Sequence, residues 1–236
     1  MTDSWIQGTE AFQAPVPYLL RTVKDPEAPL VVVCHGMGET PETARASWNR
    51  VLALEVHAFL PAGPYPFERR TRDALSLGHA WYLYDGGDVL FRESATRARD
   101  WLLATLERAE TAHGLRPRAR AVAGYSQGGY FGAFVALSRQ DRFDRLVMVA
   151  GRIKESFVAP YLDRPGTFHT LILHGATDAQ VLPDAAERSR DVLVRAGYPV
   201  ELEFLPRGHR LHPDRDVRAA ALLERAWFPP RPSHTS

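Results

Sequence analysis

The sequence predicts a doubly wound α/β fold, a mostly parallel sheet with helices on both faces. Three observations carry this reading. Short apolar runs rich in Val, Leu and Ile recur along the chain, segments of helical periodicity separate them, and most of the runs stop at Gly or Pro. Strands covered on both faces read as near-continuous apolar runs, whereas a sheet with one wet face alternates. Alternation of such strands with helices argues for parallel pairing through right-handed crossovers. The 236 residues, 45% of them hydrophobic, are enough for a sizeable core. The expected unit is a single domain over residues 1–228. The Pro-rich polar tail, residues 229–236, is expected to be disordered because it has little surface to bury.

Taken in order, Trp5 to Val23 reads as an antiparallel hairpin at the sheet edge. Leu30–Cys34 is a β-branched run ending at His35-Gly36, and Val56–Leu60 ends at Pro61. Ala121–Ala123, Leu146–Ala150 and Thr170–His174 each end at a glycine. Val200–Leu205 alternates instead and predicts an edge strand. Between them, Ser94 to Ala112 sets Ala98, Trp101, Leu102, Thr105, Leu106 and Ala109 on one helical stripe, with Gly114 as its stop. Asp184–Ala196 and Asp214–Trp227 each follow a Pro and read as further helices. Ala62 to Phe91 shows no sustained period. It is aromatic and follows a strand end, where ligands bind in such sheets, so it is expected to be irregular and to form one wall of a pocket.

Charge excludes some partners. With 29 basic and 28 acidic side chains the net charge is +1, which gives no field for nucleic acid or anionic lipid. The runs Arg69, Arg70, Arg72 and Arg116, Arg118, Arg120 have acidic neighbours and no interleaved aromatics, so both read as solvated faces. A single cysteine, Cys34, rules out an intrachain disulfide and fits a reducing compartment. Although it precedes His35, the spaced ligands of a zinc site are missing, so it reads as a buried apolar thiol. The first residues lack the basic-then-apolar pattern of a secretory signal. No apolar stretch approaches the ~20 residues that span a bilayer. These features lead to the expectation of a cytoplasmic protein without stable membrane insertion.

The sharpest chemical signal is Gly124-Tyr125-Ser126-Gln127-Gly128, a G-x-S-x-G match with a strand before it and a small-residue helix after it. The spacing suits a tight strand-to-helix turn that lifts a serine hydroxyl above the sheet; bulky side chains two before or two after would block it. A serine needs a base, and among nine histidines His209 follows the last predicted strand with Gly208 beside it. His212, next to Pro213, is its rival. Asp178, in the loop His174–Pro183, is the candidate carboxylate that orients the imidazole, and His174 at the strand end reads as structural or pocket-lining. For an oxyanion, the candidate donors are the backbone N–H of Gln127 and that of Met37 in the His35-Gly36-Met37-Gly38 turn. The glycines near Ser126 lack the Gly-Lys-Ser/Thr of a phosphate-cradling loop.

Together, His35-Gly36-Met37-Gly38, Leu60-Pro61-Ala62-Gly63-Pro64, Ala80-Trp81-Tyr82, Gly124-Tyr125-Ser126-Gln127-Gly128-Gly129, His174-Gly175-Ala176-Thr177-Asp178 with Val181 and Pro183, and Gly208-His209 resemble the phospholipase/carboxylesterase family, which includes acyl-protein thioesterases. The resemblance runs from about Leu30 to His212. It implies an α/β-hydrolase fold with little or no lid and a Ser126-Asp178-His209 triad. Gly36, Gly38, Trp81, Tyr82, Tyr125 and Val181 are then expected around the substrate, with Trp81 on its acyl side. It also implies a small-molecule acyl ester or thioester as substrate, with no metal or organic cofactor; a homodimer stays open. The sequence departs from the pattern at Arg210-Leu211-His212-Pro213 and in the wider Tyr82–Gly87 segment, which leaves the substrate open. A lactone, amide or peptide hydrolase on the same scaffold, or a binding protein without catalysis, are the alternatives.

Overall fold

The computed structural model describes residue 10 and residues 14–70, 72, 74–165, 168–210 and 213–228. Residues 229–236, His212 and the N-terminal part of the expected hairpin lie outside them. Seven strands form one sheet in the order β1 (Tyr18–Arg21), β3 (His57–Pro61), β2 (Leu30–Cys34), β6 (Arg120–Tyr125), β7 (Arg145–Val149), β8 (His169–Gly175) and β9 (Val200–Leu205). Only β1 runs antiparallel, on β3; every other pair is parallel. The order reverses between β2 and β6, which opens a crevice at their carboxyl ends, the usual ligand position in such sheets. Both the Gly-rich turn after β2 and the Ser126 turn after β6 open into that crevice.

The pleat explains why the β2 run is apolar throughout. Val32 and Cys34 join a core with the helices α2 (Asp88–Ala112), α3 (Gln127–Ser138), α4 (Glu155–Val158) and α5 (Pro183–Arg195). Val31 and Val33 face the opposite way, into a core with α1 (Pro41–Ser47) and α6 (Pro213–Trp227). Helices thus cover both faces, as the sequence predicts. Cys34 is fully buried, and burial pushes its thiol pKa well above the ordinary value. No helix among the described residues is long and apolar enough to cross a membrane.

Three expectations are corrected. Residues 62–91 are not irregular throughout: β4 (Tyr65–Arg70) and β5 (Leu75–Ala80) pair antiparallel as a separate hairpin. The hairpin is fastened to the turn after β2. The Gly38 N–H donates to the His79 carbonyl (2.8 Å) and the His79 N–H to the Glu39 carbonyl (3.0 Å). The approach is so close that a Cβ on Gly78 would lie 2.0 Å from the Gly38 carbonyl oxygen. Second, α2 begins at Asp88 rather than Ser94, because its first turns bury Phe91 against Tyr82, Tyr130 and Phe157. Third, Arg120 is no solvated cation. It grips the buried Glu110 through two hydrogen bonds of 2.8 and 3.1 Å. A buried carboxylate without such a partner would be costly.

Candidate active site

Ser126 sits between β6 and α3 with φ 52° and ψ −118°, a left-handed conformation that side chains rarely adopt. Its neighbours explain the motif. A Cβ on Gly124 would lie 2.3 Å from the Gly128 carbonyl oxygen, and one on Gly128 would lie 2.3 Å from the carbonyl oxygens of both Cys34 and His35. Strand, turn and helix therefore meet backbone to backbone, and only glycine fits at either position.

The chain of hydrogen bonds at the hydroxyl is continuous. Ser126 Oγ lies 2.9 Å from His209 Nε2, and His209 Nδ1 lies 2.8 Å from Asp178 Oδ2. The N–H groups of Gln180 (2.9 Å) and Val181 (3.0 Å) donate to the other oxygen, Asp178 Oδ1. Burial works against the charged form of Asp178, but the Val181 N–H, the His209 imidazole and the Gln180 N–H outweigh it and hold the pKa below the usual carboxylate range. A carboxylate at Nδ1 requires the His209 ring proton there, which leaves the Nε2 lone pair facing Ser126 Oγ. Tyr125 adds a tether: its hydroxyl donates to the His209 carbonyl (2.8 Å), and its ring lies 5.4 Å from the imidazole. His174 lies behind Asp178. It is buried, with Nε2 2.8 Å from the Val181 carbonyl and 3.5 Å from Asp178 Oδ2, and so braces the same loop.

Free backbone donors lie in the two turns facing each other across the crevice. In the turn after β2, the Gly36 N–H donates to Glu39 Oε2 (2.8 Å), that of Gly38 to the His79 carbonyl and that of Glu39 to the Gly36 carbonyl (3.1 Å). The Met37 N–H has no acceptor among the described residues. At the other turn, the Ser126 N–H donates to the Val149 carbonyl (2.8 Å). Gln127 is the first residue of α3, so its N–H has no intrahelical acceptor. The N–H groups of Met37 and Gln127 are thus unspent among the described residues.

Trp81 is a correction. Its side chain has no exposed surface, so it does not line the opening. The indole stacks on Phe131 at 4.7 Å, and Nε1–H donates to the His35 carbonyl (2.8 Å). The sequence offers an aromatic residue near a pocket but not the direction in which its ring points. Tyr82 is half-buried, and Val181 acts through its backbone on Asp178. Gly36 is required by packing: a Cβ there would lie 2.9 Å from the Tyr125 ring. Gly38, at φ 75°, faces Phe67 of the hairpin.

Two side chains that sequence reasoning left without a role, those of Gln127 and His35, join these pieces. Gln127 uses its side chain as well as its backbone: Oε1 accepts from the Trp81 N–H (3.0 Å) and Nε2 donates to the Tyr82 carbonyl (3.4 Å). His35 accepts the Gly63 N–H at Nε2 (2.9 Å), so its proton sits on Nδ1 and is donated to the Gly36 carbonyl (2.7 Å). Burial and, to a lesser degree, the nearby His79 lower its pKa to about 4 against the opposing pull of the Gly36 carbonyl. The sign for stability follows directly. Between pH 4 and the ordinary histidine value near 6.5, the unfolded chain binds more protons at residue 35, so stability falls as pH falls through that window. The shift corresponds to roughly 3 kcal/mol. Urea unfolding of the wild type is expected to lose about that much more stability between pH 7 and pH 4 than His35→Gln does. Equal losses would show that His35 is not held neutral.

The fold is shared with solved hydrolases. A carboxylesterase from Mesorhizobium loti superposes with a TM-score of 0.71 at 19% identity, over 88% of this chain and 94% of that one. A Bacillus cereus carboxylesterase gives 0.68 at 16%, over 89% and 94%. The acyl-protein thioesterase 2 of Zea mays gives 0.65 at 17%, over 88% and 97%. No curated protein matches the sequence. The family model described as phospholipase/carboxylesterase matches residues 20–220, and the chain belongs to that family.

Proposed function

We propose that this chain hydrolyses carboxylic esters or thioesters of small molecules through a covalent acyl-enzyme, with Ser126 as nucleophile. His209 Nε2 takes the proton from Ser126 Oγ as the hydroxyl attacks the carbonyl carbon. Asp178 stabilises the imidazolium that forms and holds its tautomer. The N–H groups of Met37 and Gln127 bind the oxyanion. His209 then gives its proton to the leaving alcohol or thiol. In the second half, His209 deprotonates water, which attacks the acyl carbon, and the proton returns to Ser126 as the acid leaves.

The observation that carries this reading is the relay of 2.9 and 2.8 Å from the Ser126 hydroxyl through His209 to a carboxylate held in its charged form. Family membership supports the ester-hydrolase chemistry. The test is covalent capture. A fluorophosphonate probe is expected to modify the protein once, at Ser126 by peptide mass, and to stop hydrolysis of an aryl acyl ester in parallel. Hydrolysis that survives complete labelling of Ser126, or labelling at a different residue, would reject the assignment.

A further inference from the structure

A second group of polar side chains beside Ser126 is left unused by the proposed chemistry. Tyr130 lies one turn into α3, where its N–H donates to the Ser126 carbonyl (3.0 Å). Its ring packs 5.5 Å from that of Tyr82, whose backbone carbonyl accepts from Gln127. After β7 the chain turns sharply at Ala150 (φ 48°). Gly151 then presses on the first turn of α3, where a Cβ would lie 3.1 Å from the Tyr130 nitrogen. The next residue, Arg152, is exposed, and its guanidinium sits over the Tyr130 ring at 5.8 Å.

Among the described residues, Arg152 has no ion pair and no hydrogen bond, and neither do the hydroxyls of Tyr82 and Tyr130. The phenols are not sealed off either: neither hydroxyl is among the buried polar atoms that lack a partner. Arginines elsewhere on this surface mostly have partners: Arg70 with Glu68, Arg97 with Glu93, Arg139 with Asp141, Arg188 with Asp184. A cation above a ring uses the ring's face and leaves the guanidinium N–H donors free. Asp88, the carboxylate whose charge reaches Tyr130, is itself bridged to Lys154. Burial raises the pKa of both phenols, that of Tyr82 to about 12, so both stay protonated and able to donate.

We propose that Arg152, with the hydroxyls of Tyr82 and Tyr130, forms a carboxylate-binding subsite, and that the preferred substrates are esters or thioesters whose non-reacting end carries a carboxylate. Each of the three groups can donate to a carboxylate, and the guanidinium can do nothing else. Tyr130 stands one turn into the helix that Ser126 opens, Tyr82 packs beside its ring, and Arg152 lies over that ring. A guanidinium fork is matched to a carboxylate, and hydrogen bonds to a charged group are roughly twice as strong as neutral ones. This inference rests on the reading of Ser126 as nucleophile only in naming what the bound molecule does next.

The test compares matched pairs by proton release. Monoethyl adipate against ethyl hexanoate places the charge on the acyl side; O-acetyl-lactate against ethyl acetate places it on the alcohol side. In at least one pair the charged ester is expected to show the higher kcat/KM. Arg152→Gln is expected to cut that preference by about 10- to 100-fold, mainly through KM, and Arg152→Lys to keep part of it. The pair that responds identifies the side of the substrate bound. A calorimetric titration of Ser126→Ala with the same charged esters reads binding without turnover and is expected to show saturation that Arg152→Gln removes. Wild-type turnover of neutral esters with no charge preference in either pair would overturn the subsite and leave the proposed function standing. Arg152-dependent binding without any hydrolysis would do the reverse. Binding unaffected by Arg152→Gln overturns the subsite whatever the turnover.

Discussion

Ser126→Ala is expected to lower kcat for an aryl acyl ester by about 10⁴- to 10⁶-fold, with the melting temperature little changed. Loss of a serine nucleophile in a triad removes the covalent path altogether, leaving only what the oxyanion donors and substrate binding supply. Stability has little reason to move. The strained conformation at residue 126 is imposed by Gly124 and Gly128 meeting neighbouring carbonyls, and alanine meets the same backbone that serine does. The substitution removes a single hydrogen bond, from the half-buried hydroxyl to His209. Burst kinetics and intact mass add a second check: the wild type should gain one acyl group and the variant none. A variant within tenfold of the wild type would mean that another group attacks.

Asp178→Asn is expected to cost about 10⁴-fold in kcat, again without unfolding. The direction follows from the two oxygens having different partners. Asp178 Oδ1 accepts from the N–H groups of Gln180 and Val181, so an asparagine must turn its carbonyl oxygen to that side. Its amide nitrogen, a donor, then faces His209 Nδ1. The ring has to accept there, and its proton moves to Nε2, pointing at the Ser126 hydroxyl that needs a base. The readouts are turnover and the ¹⁵N–¹H signature of the imidazole, with the proton expected on Nε2 in the variant and on Nδ1 in the wild type. An unchanged tautomer with full activity would show that the carboxylate does not set the ring.

Much of this architecture was legible because parallel strands buried on both faces leave a plain trace. Leu30–Cys34 and Val200–Leu205 match observed strands residue for residue, and the other central strands differ by a few residues at their ends. The Ser126 turn was legible for a related reason: only glycine fits at 124 and 128, so packing is written into the residue types. The β4–β5 hairpin left a weaker trace. Its outer face carries Leu75 and Leu77 in the open with Pro66 among them, while Gly78 leaves a gap in the inner face. The Gly at 78, with no turn to serve, was the available hint of close backbone approach. Side-chain direction was not legible at all for Trp81, since an indole that walls a pocket and one that lies behind it have the same letter. The link from Gln127 to Trp81 and Tyr82 depends on elements far apart in sequence and has no local signature.

The burial of the chain's one thiol has a practical consequence. Cys34 lies within β2 beneath α3, with no surface for a reagent to reach. A sealed, protonated thiol is inert toward alkylating electrophiles. Iodoacetamide should therefore leave the native protein unmarked, and inactivation by a sulfonyl fluoride or phosphonate is not confounded by cysteine chemistry. The same silence makes the molecule a convenient host for spectroscopy. A cysteine introduced on the exposed hairpin would be the single site open to a maleimide dye, which allows the ribbon that holds the Gly38 turn to be followed without first removing a native sulfur.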